Sequence, residues 1–285
     1  MYQIPDAPLG WLFNVLASSN KSPLAFHHTL AASLFSLRGQ RPQNQDRAFI
    51  AWFGSHGAQP PMLVAGVLDS MGGMEQGDLA ASVALAHFIV ALMEDRRDVD
   101  AALEAAMLRA NAEVFGLLDG DGGTTLTALA MTDTRYVGVH VGDSRLYEMK
   151  AQIAQVTADD TVAGLLEIDP TALGDGGLLQ FVGIGPSMIY QTYDLSDAPP
   201  KRAMLTSDGL HNLGPRVLKR LGRVHEWDRE SLQFRQSFWD LSDNASAVFV
   251  RRDYARIELG RLPPNELRLI CGSKEASFTI QSKGH

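Results

Sequence analysis

Three short apolar runs in this chain end on an aspartate, and a fourth begins just after one. VAGVL at 64–68 runs into Asp69, VHVG at 139–142 into Asp143, and AMLTS at 203–207 into Asp208, while Asp243 precedes the alternating segment Ser246 to Arg252. Runs of this length bounded by turn residues read as interior strands. A carboxylate at the tip of a buried strand is costly to desolvate unless a cation or hydrogen bonds meet it. The pattern therefore asks for a fold that gathers several strand ends at one edge of a core. Carboxylates gathered there repel one another unless hard cations neutralise them. Oxygen donors alone favour Mg²⁺ or Mn²⁺ over zinc. Two such ions sharing a bridging carboxylate activate a water between them.

The rest of the chain supplies layers for such a core. Strand signals cover Phe26 to Leu37, Arg47 to Phe53 and Met62 to Leu68. Two helical patterns follow, Asp78 to Met93 with an almost all-round apolar surface and Val99 to Leu118 with Asp98 placed as N-cap. The DGDGG run at 119–123 is a helix stop; as a calcium loop it would have Ala130 where a bidentate Glu is needed. Strands resume at Thr124 to Met131, Arg135 to Val141, Arg145 to Met149 and Ala203 to Thr206. Helices are expected at Leu210 to Leu221 and Glu226 to Trp239, and Leu267 to Cys271 is strand-like without an assigned place. Strands, two long helices and more strands make an α+β layer protein. Residues 1–24 read as an extension with a short helix near Leu9 to Ala17, and 256–285 as a segment of unknown role.

Composition narrows the function classes. A net charge of −8 argues against a nucleic-acid binder or an anionic-membrane binder. One cysteine, Cys271, excludes an internal disulfide framework and fits a reducing compartment. The run Ala81 to Met93 is too short to span a bilayer and contains His87. A cytoplasmic protein is expected.

Six segments, in order, resemble one family, the type 2C metal-dependent Ser/Thr protein phosphatases (PPM family, bacterial type). They are RPQNQDR at 41–47, LDSMGG at 68–73 with Gly77, GGTT at 122–125, GDSR at 142–145, LTSDGL at 205–210 and DNASAV at 243–248. The resemblance covers roughly residues 30–252, within an expected domain of 25–255, and implies a four-layer α-β-β-α sandwich of two antiparallel sheets. It implies two Mn²⁺ or Mg²⁺ ions bridged by Asp69, with the main-chain carbonyl of Ser70 on one and Asp208 and Asp243 on the other. Asp143, with Asp208, would hold a third ion. Asp46 would hold metal-bound water, and Arg41 would grip the substrate phosphate with its guanidinium fork. The implied reaction is in-line attack on phosphorus by a water that the bridged metals activate, with no phosphoenzyme. The implied partner is a Ser/Thr-phosphorylated protein, opposing a Ser/Thr kinase, with the phosphatase acting as a monomer.

The sequence departs from the family in three places. Gln45 stands where a Glu is usual, Ser70 where a Gly is usual, and ADDT at 158–161 replaces an Asp-His-Ser stretch near the flap. These departures support a rival reading, a phosphatase-like binding or regulatory module with weak or no catalysis. A serine acyl-transferring enzyme is a formal alternative from SSNK at 18–21 and SDN at 242–244, but KTG is missing. His27 and His28 would face opposite ways on a strand, and His211 is a candidate to stand behind Asp208.

Overall fold

A computed structural model describes residues 7–19, 21–71, 77–150, 152–167, 177–222 and 241–280. The expected helix Glu226 to Trp239 and the pair Gly72-Gly73 lie outside these residues. The strands, in chain order, are β1 Leu24–His28, β2 Ala32–Leu37, β3 Arg47–Phe53, β4 Met62–Leu68, β5 Leu126–Met131, β6 Tyr136–Val141 and β7 Arg145–Met149. They continue with β8 Ile153–Gln155, β9 Gln191–Asp194, β10 Arg202–Thr206, β11 Ala245–Arg251, β12 Glu266–Cys271 and β13 Lys274–Thr279. The helices are α1 Ala7–Ser19, α2 Gly77–Glu94, α3 Val99–Leu118, α4 Val162–Leu165, α5 Asp208–His211, α6 Pro215–Gly222 and α7 Arg252–Leu259.

Two antiparallel sheets result, one ordered β1-β2-β11-β10-β7-β8 and the other β13-β12-β3-β4-β5-β6-β9. Alternation along each strand assigns the layers. On β3, Ala48, Ile50 and Trp52 pack toward the facing sheet, while Phe49, Ala51 and Phe53 pack under α1, α2 and α3. On β11, Val248 and Val250 face inward, and Ala245, Ala247 and Phe249 pack with Leu210, Leu218 and Leu221 of α5 and α6. Both faces of the central strands are covered, which is why their sequences read as near-continuous apolar runs. The α+β sandwich expected from the sequence is the fold observed. α2 is apolar and long enough to cross a membrane by composition alone, and it is mostly buried within this fold.

The structure redraws several boundaries. Phe26 to Leu37 is a hairpin instead of one strand: Glu258 accepts from the main-chain N–H groups of Leu30 and Ala31, and Thr29 Oγ1 caps Ala32, stabilising the turn. The helix expected over Leu210 to Leu221 breaks into α5 and α6 at Gly214, whose φ of +92° is left-handed and reserved in practice for glycine. Asp98 accepts from Asp100 N and Ala101 N at the start of α3, and Asp119 closes it in the left-handed conformation. Within 1–24, read from sequence as an extension, and 256–285, read as a segment of unknown role, the described elements lie against the core. Leu9, Leu12, Val15 and Leu16 of α1 are buried with α2, and β12 pairs with β3, carrying β13 into the sheet.

Candidate active site

Strand register brings the aspartates together. Arg47 pairs with Leu68 across β3 and β4, so Asp46 and Asp69 are the next residues past the ladder at one end of one sheet. In the other sheet Thr206 pairs with both Arg145 and Ala247, which places the turn of Asp143, the start of α5 at Asp208 and the approach of Asp243 at the same end. Asp69 lies within hydrogen-bonding reach of both Asp46 and Asp208.

Burial and mutual repulsion set the state of these groups. Burial pushes Asp46 up to about 7, and Asp208 adds to the rise. Asp143 is likewise raised to about 7, by burial first and then by Asp208 and Asp159. Asp69 is held well above the ordinary carboxylate range by burial and by Asp46, Asp208 and Asp143, and Asp208 is raised mainly by burial. In the chain alone, then, part of the cluster holds protons toward neutral pH. The donors are all oxygen, which fits hard divalent cations in place of those protons. Among the described residues no three such groups already converge on one metal position. Part of the reason is visible at Asp243, where Oδ2 pairs with Arg41 Nη2 at 2.6 Å and Oδ1 accepts from Asn244 N at 2.7 Å.

No family model matches the chain. The Ser/Thr protein phosphatase PstP of Mycobacterium tuberculosis is 35% identical over 102 residues, spanning 33% of this chain and only 20% of PstP. The match therefore spans about a fifth of that relative's length. The Ser/Thr phosphatase stp of Listeria monocytogenes is 27% identical over 237 residues, covering 75% of this chain and 92% of the relative. The solved PPM Ser-Thr phosphatase MsPP of Mycobacterium smegmatis, a cacodylate complex, superposes with a TM-score of 0.62 at 27% identity, over 79% of this chain and 99% of that one. Fold and motif order are those of the PPM-type Ser/Thr phosphatases.

The PPM motifs contain a frame as well as the acidic residues. Thr125 N and Thr124 Oγ1 donate to the Asp69 carbonyl at 2.8 and 3.0 Å, Asp69 N donates to Thr125 Oγ1, and Thr125 shares a hydrogen bond with Ser144. Ser207 Oγ donates to Asp46 Oδ2 at 2.9 Å while accepting from Ser246 N. Asn244 accepts from Gln45 N and donates to the carbonyls of Arg38 and Gln43, tying the Arg41 loop to the Asp243 turn. Gly209 is required by close approach, since a Cβ there would stand 1.9 Å from the Asn244 carbonyl oxygen. Sequence reasoning quoted these segments but gave Thr124, Thr125, Ser144, Ser207 and Asn244 no task. The available signal was the position of Ser144, Ser207 and Asn244 beside an acidic residue and of Thr124 and Thr125 in the quoted glycine-threonine segment.

The departures from the PPM pattern are accommodated. Ser70 does not have a positive φ; it forms an antiparallel bridge with Thr124. Its hydroxyl faces the carbonyls of Gly77 and Gln45, at 2.6 and 3.1 Å. In the ADDT segment Asp159 forks onto Arg145, and Asp160 accepts from Gly142 N, bracing the turn that carries Asp143. His211 is buried, bonded to Thr206 and held neutral well below the usual imidazole range by burial. His27 pairs with Glu275 and His28 with Ser33, so neither joins the site.

Proposed function

We propose that this chain is a Ser/Thr phosphoprotein phosphatase that hydrolyses phosphate monoesters with Mn²⁺ or Mg²⁺, acting as a monomer in the cytoplasm and opposing a Ser/Thr kinase. The observation that carries the reading is the set of carboxylates gathered at one end of the sandwich, four of which hold their protons above the ordinary carboxylate range because burial and repulsion disfavour their charge. Two ions would be held by Asp69, the Ser70 carbonyl, Asp208 and Asp243, and a third by Asp143 with Asp208. Bound metal supplies Lewis acidity and an activated water. Everything else falls to the chain. Asp46, fixed by Ser207, orients a water by hydrogen bonding; Arg41, near Asp208 and Asp69 and paired with Asp243, is positioned to bind phosphate oxygens once released. Thr124 and Thr125 hold the Asp69 main chain rigid, so its carboxylate keeps its aim. Of the three features favouring a non-catalytic module, Gln45 and Ser70 use a main-chain N–H and a hydroxyl to build the frame, and the ADDT segment braces the turn of Asp143, so the acidic set is left intact.

The test is hydrolysis of p-nitrophenyl phosphate and of a phosphothreonine peptide with and without Mn²⁺. Activity that appears with metal and is silenced by a chelator supports the reading. Full turnover by metal-free protein in excess chelator sinks it.

A further inference from the structure

We propose that a second phosphate-binding site lies between the end of α1 and the loop carrying Arg41. A cavity of about 270 Å³ opens there, with Lys21, Arg38, Gln43, Asn44, Arg47 and Asp78 in its wall. In a chain of net charge −8, three cations and one carboxylate make this wall locally basic. One cation is spoken for, because Arg47 pairs with Asp78 and with Ser82. The other two are not. Among the described residues neither Lys21 nor Arg38 has a side-chain partner, and the Nε of Arg38 is buried without one.

A buried guanidinium N–H left unpaired is unfavourable by about 1–3 kcal/mol unless a ligand or water meets it. A guanidinium fork and an ammonium together suit a tetrahedral dianion. The larger cavity at the opposite end, about 470 Å³ and lined by Arg97 and Arg135, also contains a buried unpaired Nε, that of Arg135, but no arginine without a carboxylate partner. Its arginines are already paired with Asp95, Asp100 and Asp194. The smaller cavity also touches the catalytic loop. Gln43 and Asn44 follow Arg41 by two and three residues, and the carbonyls of Arg38 and Gln43 hold Asn244 beside Asp243. Phosphate in the cavity therefore bears on the frame of the candidate active site. The ligand is either a second phosphate on the substrate chain or free inorganic phosphate. The inference leans on the proposed phosphatase reading only for the identity of the anion.

The test is calorimetric titration of inorganic phosphate into metal-free, full-length Arg41→Ala protein, which lacks the expected catalytic phosphate contact. One phosphate per chain is expected. Lys21→Met and Arg38→Met, each added to that protein, should weaken binding about tenfold without lowering the melting temperature. Titration with a doubly and a singly phosphorylated peptide separates the sources. Tighter binding of the doubly phosphorylated one, lost in Lys21→Met, marks substrate docking; equal binding of the two peptides with retained inorganic phosphate binding marks a product site. No phosphate bound to the Arg41→Ala protein, or binding indifferent to both methionine substitutions, overturns the site. Because the readout needs no turnover, it stands apart from success or failure of the hydrolysis test.

Discussion

Two groups of buried charge in this protein are handled in opposite ways. Arg47 and Arg96 are 2% and 0% exposed, yet the chain meets the charge of both, with only the Nε of Arg47 left without a hydrogen bond among the described residues. Arg47 donates to the carbonyls of Asn44 and Asp46, to Ser82 and to Asp78; Arg96 donates to Gln59 and to the carbonyls of Pro60 and Gly54, and lies over the Phe53 ring. The carboxylates of Asp46, Asp69, Asp143 and Asp208 are treated differently: Ser207 donates to Asp46 and the Gly209 main chain to Asp208, but among the described residues Asp69, Asp143 and Asp208 are paired with no cation. Their partners include one another, and Arg41 sits on Asp243. Buried charges that serve the fold are met from within, since an unmet one is strongly destabilising. A cluster that holds protons instead of an internal cation is what the proposed metal site requires.

The sharpest way to break that comparison is to remove one charge. Asp69→Asn should lower metal-dependent kcat/KM by about a thousandfold, which is about 4 kcal/mol of transition-state stabilisation. The same substitution should stabilise the metal-free protein, raising its melting temperature by about 2–4 °C for each kcal/mol of repulsion relieved. A structural carboxylate would show the reverse, lost stability with activity following it. The second largest effect is on pH dependence. Because Asp46 and Asp143 titrate at about 7 in the fold and at 3.8 when unperturbed, the folded chain holds protons that the unfolded chain has lost. Their contribution to metal-free stability is complete below about 3.8 and is lost as pH rises through about 7. Mn²⁺ should restore it, by a margin that grows toward pH 8. Buried His140, pushed down to about 4, acts in the opposite sense, losing stability as pH falls from about 6.5. The difference in melting curves between parent and Asp69→Asn isolates the carboxylates; identical pH slopes would remove the argument.

Arg41 stands on the border between the two groups, a cation supplied by the chain to a carboxylate that the proposed function gives to metal. Arg41→Ala should raise KM for p-nitrophenyl phosphate about tenfold with a smaller change in kcat. It should also tighten Mn²⁺ binding in calorimetry, because Asp243 no longer has to release the guanidinium. Weaker metal binding in Arg41→Ala would show that the pair preorganises Asp243 instead of competing for it.

Legibility in the sequence followed the same division. β3, β4, α3 and β7 were readable to the residue, because fully buried strands and capped helices carry strong local signals. The acidic residues were readable because each sits at an apolar run. What could not be read was relational. That Ser207 holds Asp46, that Asn244 ties two loops, or that Arg41 pairs with Asp243 depends on contacts spanning 161 to 202 positions. The place of β12 was hidden for the same reason, since pairing with β3 joins the chain's last strands to one near its start. α7 escaped because its apolar face is short, with only Ala255 and Leu259 buried.

The smallest predicted effect is at Ser70, beside the most demanding carboxylate. Its backbone is not left-handed, so the glycine usual at this position is not needed for conformation. Its hydroxyl points at the carbonyls of Gly77 and Gln45, and one O–H serves only one acceptor at a time. Ser70→Ala should therefore cost about 1 kcal/mol of stability and leave metal-dependent turnover within about threefold of the parent. Ser70→Gly should lose slightly more stability, through a more flexible unfolded chain, with the same turnover. Both outcomes assign Ser70 to the self-sufficient part of the molecule and its carbonyl alone to the metals. A nucleophilic Ser70 would behave otherwise: Ser70→Ala would be inactive, and intact-mass spectrometry during turnover would show a phosphoserine adduct on the parent. The hydroxyl, which donates to one or the other of two carbonyls and has no basic side chain among its hydrogen-bond partners, has nothing to activate it, so the spectrum should show the unmodified chain throughout.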